Sequence, residues 1–175
     1  MLRYAFFIVA CSVALIWVSI GALTDHSVRR AVLQDAEDKA LHWGEYVVAQ
    51  VPDLPGLVET GLPTDAQKQA IRTTRQIGDI FRFKLYDIAG RLVLLSDEGF
   101  ITAPQGISPD SDPEAVSVLQ SQSTLVRVED GRANPDRPAL YAEAYIPLFD
   151  AAGQAVGVAE VYVDETRVAA HFLES

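Results

Sequence analysis

Residues 80–96 read IFRFKLYDIAGRLVLLS and hold the pattern from which the architecture of this chain follows. From Phe81 to Tyr86, apolar side chains alternate with polar or amphipathic ones, which is the two-residue period of a half-buried β-strand. A second apolar run, 91–96, follows a connection that ends in Gly90. Because glycine readily adopts the positive φ that a tight, bulged turn requires, the two runs predict a β-hairpin.

The same turn pattern returns towards the end of the chain. KLYDIAGR at 84–91 is matched by PLFDAAGQ at 147–154, and each segment links two apolar runs. The second hairpin is expected to join 139–149 with 154–163, and Pro147 indicates that its first strand lies near an edge or ends there. A further strand is expected at 123–129. Five strands joined mostly by short connections predict an antiparallel sheet.

Helices are predicted before, between and after these strands. Residues 24–50 contain no proline and carry a loose apolar stripe, so we expect one long helix with the apolar residues Val28, Val32, Leu41, Val47 and Val48. Three prolines are expected to break the next segment into turns. TDAQ at 64–67 has the spacing of a capping box and opens a helix that ends near residue 78. Asp112 is expected to cap a short helix at 113–119, and a last helix opens at 164–166.

The first residues differ in character from the rest. Tyr4 to Leu23 is a run without any charged residue, and as a helix it would span roughly 30 Å, the thickness of a bilayer's hydrocarbon core. We therefore predict a transmembrane anchor at 1–23, with a cytoplasmic amino terminus because positive charge precedes the run and is diluted after it. This reading is preferred to a cleaved signal peptide, whose apolar region is shorter, and to lipidation at Cys11.

Charge and residue usage exclude several classes of function. The 14 Lys and Arg residues against 24 Asp and Glu give a formal net charge of −10, so no nucleic-acid partner is expected. Cys11 is the single cysteine, which excludes a disulfide framework and a Cys-based metal site. The histidines fall in predicted helices, and no phosphate loop, zinc spacing or calcium-loop pattern occurs. We expect no cofactor, no metal and no catalytic residue, and hence that this segment is not an enzyme.

Alternate residues on three predicted strands indicate one polar, aromatic face of the sheet. The strands contribute Arg82, Lys84 and Tyr86, then Tyr141, Glu143 and Tyr145, then Glu160, Tyr162 and Asp164. A tyrosine offers an apolar ring with a hydroxyl, and a basic side chain binds a carboxylate, so this face suits a small organic ligand and favours an anion. The ligand-binding candidates are Arg82, Lys84, Tyr86, Tyr141, Glu143 and Tyr145. The alternative is a solvated face on which Glu143 and Glu160 form structural ion pairs.

Several segments resemble a known group of sensor domains. They are FKLYD at 83–87 with the following GR at 90–91, LYAEAYIP at 140–147 and GVAEVYVDET at 157–166. They resemble the extracytoplasmic PAS-like domains of the Cache or PDC type in bacterial membrane signalling proteins, in particular those that precede diguanylate cyclase and cyclic-di-GMP phosphodiesterase modules. The resemblance implies an α+β fold: a transmembrane helix and a long stalk helix, then a PAS-like five-stranded antiparallel sheet with flanking helices.

The resemblance also implies a domain organisation and a role. We expect an anchor at 1–23, a stalk helix at 24–50, a sensor domain at 51–165 and the start of an exit helix at 166–175. The implied role is the periplasmic, ligand-sensing input of a receptor of the bacterial inner membrane. Such a receptor would be homodimeric through the stalk helix and would control cyclic-di-GMP turnover through a module beyond residue 175. The same sensor could serve a histidine kinase or chemoreceptor, and a membrane-anchored protein-interaction domain without a small ligand is the alternative from another class.

Overall fold

The computed structural model describes residues 27–74, 77, 79–97, 100–102 and 109–173. The strands are β1 (Ile80–Tyr86), β2 (Leu92–Asp97), β3 (Phe100–Thr102), β4 (Leu125–Asp130), β5 (Leu140–Phe149) and β6 (Ala155–Asp164). The helices are α1 (27–50), α2 (Leu54–Thr60), α3 (Asp65–Thr74), α4 (Pro113–Ser121) and α5 (Thr166–Leu173). The expected α+β class is confirmed.

The strands form one antiparallel sheet in the order β3-β2-β1-β6-β5-β4. The antiparallel arrangement and the five predicted strands are confirmed, but the described sheet has six strands. The additional strand, β3, has only three residues and pairs with β2, in the segment between the second and third predicted strands where no strand was predicted. A strand this short has too few residues to show an alternating pattern, which is why the sequence did not reveal it.

The two hairpins that the sequence predicted are built on the same turn. Asp87 Oδ1 accepts hydrogen bonds from the backbone N–H groups of Ala89 and Arg91 at 2.8 and 2.9 Å. Asp150 Oδ1 does the same for residues 152 and 154 at 2.9 and 2.8 Å. Gly90 and its counterpart at 153 both have a φ of +74°. The repeated D-x-x-G motif therefore specifies the same turn conformation in both hairpins.

Helix α1 packs along one face of the sheet. Its buried side carries Val32, Ala36, Ala40, Trp43 and Val47, at the spacings of a single helical stripe. The predicted stripe included Leu41, which is instead 39% exposed, because the alanines rather than this leucine set the direction of the buried side. The main core lies between α1, α2, α3 and this face of the sheet.

The segment between α1 and α3 departs from expectation. Residues 52–63 were predicted to be turns because of their prolines, yet Leu54–Thr60 forms helix α2. Pro55 lies in the first turn of that helix, where proline has no hydrogen bond to lose and its fixed φ is helical. The Asp53 side chain caps the helix by accepting from Gly56 N at 3.2 Å. The turn prediction for this segment was therefore wrong.

Two of the predicted helix starts are confirmed by their hydrogen bonds. The Thr64 N–H donates to Gln67 Oε1 at 2.8 Å, and the Gln67 N–H donates back to Thr64 Oγ1 at 3.3 Å, which is the predicted capping box. Asp112 Oδ1 accepts from Ala115 N at 3.0 Å at the start of α4. Among the described residues, no helix has both the length and the apolar character needed to cross a membrane. The predicted anchor at 1–23 lies outside those residues.

Candidate functional site

The face of the sheet opposite α1 carries the polar and aromatic side chains that the sequence predicted. We call it the polar face, and it consists of Arg82, Lys84, Tyr86, Tyr141, Glu143, Tyr145, Glu160 and Tyr162. Strand register brings these residues together, because Lys84 lies opposite Glu160 across β1 and β6. On the other side of β6, Glu143 lies opposite Tyr162 and Tyr145 opposite Glu160. All six ligand-binding candidates therefore lie on one surface, and their role as ligand contacts stays a prediction.

Glu160 is the buried centre of the polar face. Its side chain is only 1% exposed, and Lys84 Nζ donates to its two carboxylate oxygens at 3.0 and 2.8 Å. The hydroxyl groups of Tyr86 and Tyr162 donate to the same carboxylate, one to each oxygen. A buried carboxylate needs this degree of satisfaction, because an unpaired charge is expensive to remove from water.

The tyrosines around Glu160 are held in their neutral form. Burial, reinforced by the hydrogen bond to Glu160, raises the pKa of Tyr86 and of Tyr162 far above the ordinary value. Burial and the same carboxylate also raise the pKa of Tyr145. These hydroxyls therefore remain donors at every physiological pH, which fits a fixed scaffold better than proton-transfer chemistry.

A β-bulge widens the polar face at the start of β1. The register between β1 and β6 shifts between Ile80 and Arg82, so that Arg82 pairs with Tyr162 while Phe81 is the extra residue. The Phe81 ring meets the rings of Tyr141 and Tyr162 edge-on, with centroids 5.9 and 6.0 Å away. Strict alternation had assigned Phe81 to the apolar face, and this part of the prediction was wrong because a bulge interrupts the two-residue period.

Three cations surround the ring of Tyr162. The Arg82 guanidinium carbon lies 5.5 Å from the ring centroid, Lys84 Nζ lies 5.3 Å away, and the Arg137 guanidinium carbon lies 5.4 Å away. Such distances allow cation–π attraction, which offsets part of the repulsion between like charges. The result is a concentration of positive charge at one end of the polar face, in a chain that is acidic overall.

Arg137 also belongs to this surface, although its position in the sequence did not predict this. It lies in the connection between β4 and β5, and its Nη1 donates to the Tyr141 hydroxyl at 2.7 Å and to Glu143 Oε1 at 3.4 Å. Its guanidinium carbon also lies 5.0 Å from the Tyr141 ring centroid. The sequence signal was limited to a basic residue shortly before a strand whose alternate positions are polar. Such a pattern does not predict the direction in which a loop side chain points.

Glu143 is the second acid of the polar face. Burial, followed by the nearby charges of Glu160 and Glu129, raises its pKa, while Arg137 and Lys84 act in the opposite direction. The side chain remains 20% exposed. Glu143 is thus a partly accessible carboxyl group beside two cations, which suits it to accept a hydrogen bond or to balance charge when a ligand binds.

Arg82 differs from the other two cations around Tyr162. Lys84 pairs with Glu160 and Arg137 pairs with Glu143. Arg82 Nε is a buried donor without a hydrogen-bond acceptor among the residues that the structure describes. An unsatisfied buried donor is unfavourable, and an acceptor group delivered by a ligand would satisfy it.

The polar face is covered at one end and accessible at the other. Tyr86 and Tyr145 stack with ring centroids 6.3 Å apart and pack with Ala115 and Val118 beneath helix α4. They are only 3% and 5% exposed, so α4 hides these two candidates. At the other end the side chain of Lys84 is 21% exposed and that of Arg137 is 24% exposed. A ligand would therefore reach the end that carries the cations.

Two clefts elsewhere contain none of the predicted candidates. One of about 400 Å³ lies between α1 and the last residues of β5, lined mainly by apolar side chains such as Val48 and Leu148. The other, of about 330 Å³, lies between α2 and the first hairpin, beside Val58 and Ile88. The second cleft is also lined by Asp87, a buried carboxylate that forms an ion pair with Arg91.

No protein-family model matches the chain, and no curated protein does. Solved structures do show similarity. They include the ligand-binding domain of the Campylobacter jejuni chemoreceptor Tlp3 in complex with L-norvaline (TM-score 0.48, 11% identity, 84% of this chain and 62% of that chain). They also include the periplasmic sensory domain of the Campylobacter jejuni chemoreceptor Tlp1 (TM-score 0.32, 15% identity, 87% and 65%). A third is a domain of a sensory box/GGDEF family protein from Vibrio parahaemolyticus (TM-score 0.35, 12% identity, 76% and 62%).

Two of these structures are described as ligand-binding or sensory domains of chemoreceptors. This chain spans less than two thirds of the length of each. The TM-scores stay below 0.5, so the similarity does not indicate what the polar face binds.

Proposed function

We propose that this chain is the ligand-sensing input domain of a bacterial membrane receptor, and that the polar face binds a small organic anion. The observation that carries the proposal is Arg82, whose buried Nε lacks an acceptor among the described residues. A carboxylate placed beside Arg82 would supply that acceptor and a compensating charge. The neighbouring tyrosine rings offer the apolar walls that a small organic ligand needs.

The other cations support this assignment without being free themselves. Lys84 and Arg137 hold Glu160 and Glu143 respectively, so a ligand does not have to neutralise them. They nevertheless raise the electrostatic potential near Arg82, since all three lie within 5.5 Å of the centroid of one tyrosine ring. A small monocarboxylate, or one carboxylate of a larger acid, is the chemistry that this charge balance favours.

The wider context of the receptor is also part of the proposal. The uncharged run at Tyr4–Leu23 supports an anchor in the inner membrane, with the sensor in the periplasm. Helix α1 would carry the stalk contacts of a homodimer. The resemblance of LYAEAYIP and GVAEVYVDET to sensors in front of cyclic-di-GMP enzymes supports an output of that kind, and a histidine kinase or chemoreceptor output is the alternative.

A ligand screen tests the binding proposal directly. The full chain, purified in detergent, would be unfolded thermally in the presence of short monocarboxylic acids, dicarboxylic acids and amino acids, and hits would be measured by calorimetry. We expect at least one carboxylate to raise the unfolding temperature, because a ligand that binds only the folded state stabilises it. Arg82→Ala should then weaken binding roughly tenfold or more, as charged hydrogen bonds contribute about 1.5–3 kcal/mol.

Arg132→Ala is the matched control, because Arg132 is an exposed arginine in the same chain and lies in the turn after β4. It should leave the affinity unchanged. Equal affinities for Arg82→Ala and the parent chain would remove Arg82 from the site. A chain that no carboxylate stabilises would contradict the anion-sensing proposal and favour a membrane-anchored protein-interaction domain.

A further inference from the structure

A second group of charged side chains lies where β6 gives way to α5. Lys39 on α1 is at its centre, with its Nζ 2.6 Å from Asp35 Oδ2 and 3.1 Å from Glu165 Oε1. Asp79, just before β1, approaches the same nitrogen at 3.4 Å. One ammonium group is therefore shared among three carboxylates, and the contacts join the first described helix to the last.

The cations of this group do not neutralise all of its carboxylates. Arg167 on α5 forms an ion pair with Asp79, which leaves Lys39 to neutralise both Asp35 and Glu165. Two carboxylates that share one ammonium repel each other, and water screens this repulsion least at Glu165, which is fully buried while the Asp35 side chain is 41% exposed. One negative charge is therefore in excess.

Burial makes that excess costly at Glu165. Its side chain is fully buried, with 0% of its surface exposed. Glu165 Oε2 and Asp35 Oδ2 are both buried oxygen atoms without a hydrogen-bond donor among the described residues, although the latter contacts Lys39 as an ion pair. Glu165 Oε2 thus lacks a donor beside a second acid that is held by the same cation, and a proton shared between the two carboxyl groups would supply one.

We propose that Asp35 and Glu165 together bind one proton, which makes this junction a proton-binding site that connects α1 to α5. The hydroxyl of the protonated acid donates to an oxygen of the other, and Lys39 balances the charge that remains. The proton supplies the missing donor and removes the excess charge at once. This site is independent of the polar face and of any ligand proposed for it.

The titration behaviour of Glu165 supports the proposal. Burial, as the largest effect, together with the charge and hydrogen bonding of Asp35, raises the pKa of Glu165 to about 7, although Lys39 acts to lower it. Other charged groups at this junction include Asp79, Arg167 and Asp164, and Asp164 Oδ1 accepts from the Thr166 N–H. The folded chain therefore holds a proton at pH values where an unfolded glutamate has lost it.

The sign of the pH dependence follows from this raised pKa. A carboxyl group whose pKa is higher in the folded state gives stability that is fully present below the unfolded value of about 4.5, and this stability is lost as pH rises through about 7. Within that window the folded chain binds one more proton than the unfolded chain. The folding equilibrium constant therefore falls about tenfold for each unit by which the pH rises.

Urea unfolding of the full chain between about pH 5 and pH 8 tests the site, and Glu165→Gln is the informative variant. Glutamine is neutral at all these pH values, and its amide can donate to Asp35 while its carbonyl accepts from Lys39. We expect the slope of the variant's unfolding free energy against pH to differ from the parent's by the contribution of one proton. We also expect the variant to be at least as stable as the parent at pH 8. Glu37→Gln, an exposed change on the same helix, should keep the parent's pH dependence.

A direct titration covers the case in which Glu165→Gln does not fold. The carboxyl carbon of Glu165 in the ¹³C-glutamate-labelled chain should titrate near neutral pH, and Asp35→Asn should shift that titration to lower pH because the competing negative charge is gone. Ordinary acidic titration of Glu165, or an unchanged pH slope in folded Glu165→Gln, would overturn the proposal. Neither measurement involves a ligand, so failure here would leave the proposed sensing function untouched.

Discussion

Single residues on the polar face show how one buried charge can organise several neighbours. Glu160 accepts from Lys84, Tyr86 and Tyr162, so these three side chains have little freedom to rotate. The arrangement is preorganised before any ligand arrives, which reduces the entropy that binding has to overcome. Arg82 Nε is then the donor on this face that can still form a new hydrogen bond.

Glu160→Gln tests the importance of this centre. The amide would place a donor against the Lys84 ammonium and would leave at least one tyrosine hydroxyl without its charged acceptor. We expect a loss of about 3 kcal/mol in the free energy of unfolding, the lower end for breaking a buried ion pair, because Lys84 is still partly exposed. Chemical denaturation measures it, with the partly exposed Glu129→Gln on β4 as the control. A change below about 0.5 kcal/mol, the level of ordinary surface substitutions, would contradict the central role of Glu160.

At the scale of elements, the two hairpin turns have the same conformation in different surroundings. Gly90 and Gly153 share a φ of +74°. A Cβ atom at Gly153 would meet nothing within 4 Å, whereas at Gly90 it would lie 2.7 Å from Val116 Cγ2 and 3.2 Å from the Asp112 backbone oxygen. The first hairpin therefore serves as a support for α4, and the second does not.

Alanine substitution at these two glycines separates backbone strain from packing. Gly153→Ala should cost roughly 1–2 kcal/mol, the penalty for a left-handed conformation in a residue with a Cβ. Gly90→Ala should cost about 1–3 kcal/mol more, because α4 would have to move away from the turn. Urea unfolding of both variants gives the difference. Equal losses would mean that the contact between the first turn and α4 contributes nothing to stability.

The elements that follow local rules were predictable, and those that depend on distant contacts were not. Alternation revealed β1, and the D-x-x-G pattern revealed both turns. Helix α2 was missed because Pro55 was read as a breaker, although a proline in the first turn is compatible with a helix. The bulge at Phe81 is fixed by pairing with β6, and the orientation of Arg137 by Tyr141 and Glu143, so neither leaves a local trace in the sequence.

At the scale of the whole molecule, α1 is part of the folded unit and not only a connection to it. Trp43 is 1% exposed, its ring lies 4.8 Å from that of Phe83, and its Nε1 donates to the Thr74 backbone oxygen at 3.2 Å. The predicted division at residue 50 thus separates residues that share one core.

The candidate site could be assigned to one face of the sheet from the sequence alone. Alternate residues of a strand point to the same face of the sheet, and this holds along the strand wherever no bulge interrupts it.

A pair of truncations tests this dependence on α1. A chain that lacks residues 1–50 should not fold, because the sheet would expose the apolar face that Trp43, Val47 and their neighbours cover. A chain that lacks only residues 1–26 should keep the fold, since α1 is retained. Circular dichroism and amide NMR dispersion distinguish the outcomes. Cooperative unfolding of the shorter chain would show that α1 is dispensable.

The two faces of the sheet carry different chromophores. Trp43 projects from α1 into the main core. Four of the six tyrosines, Tyr86, Tyr141, Tyr145 and Tyr162, lie on the polar face. Once the second tryptophan, Trp17, is replaced by phenylalanine, indole emission reports on the packing of α1, and phenol absorbance reports mainly on the opposite side. A rearrangement that begins on one side of the sheet and spreads to the other can thus be timed optically, without attaching any label.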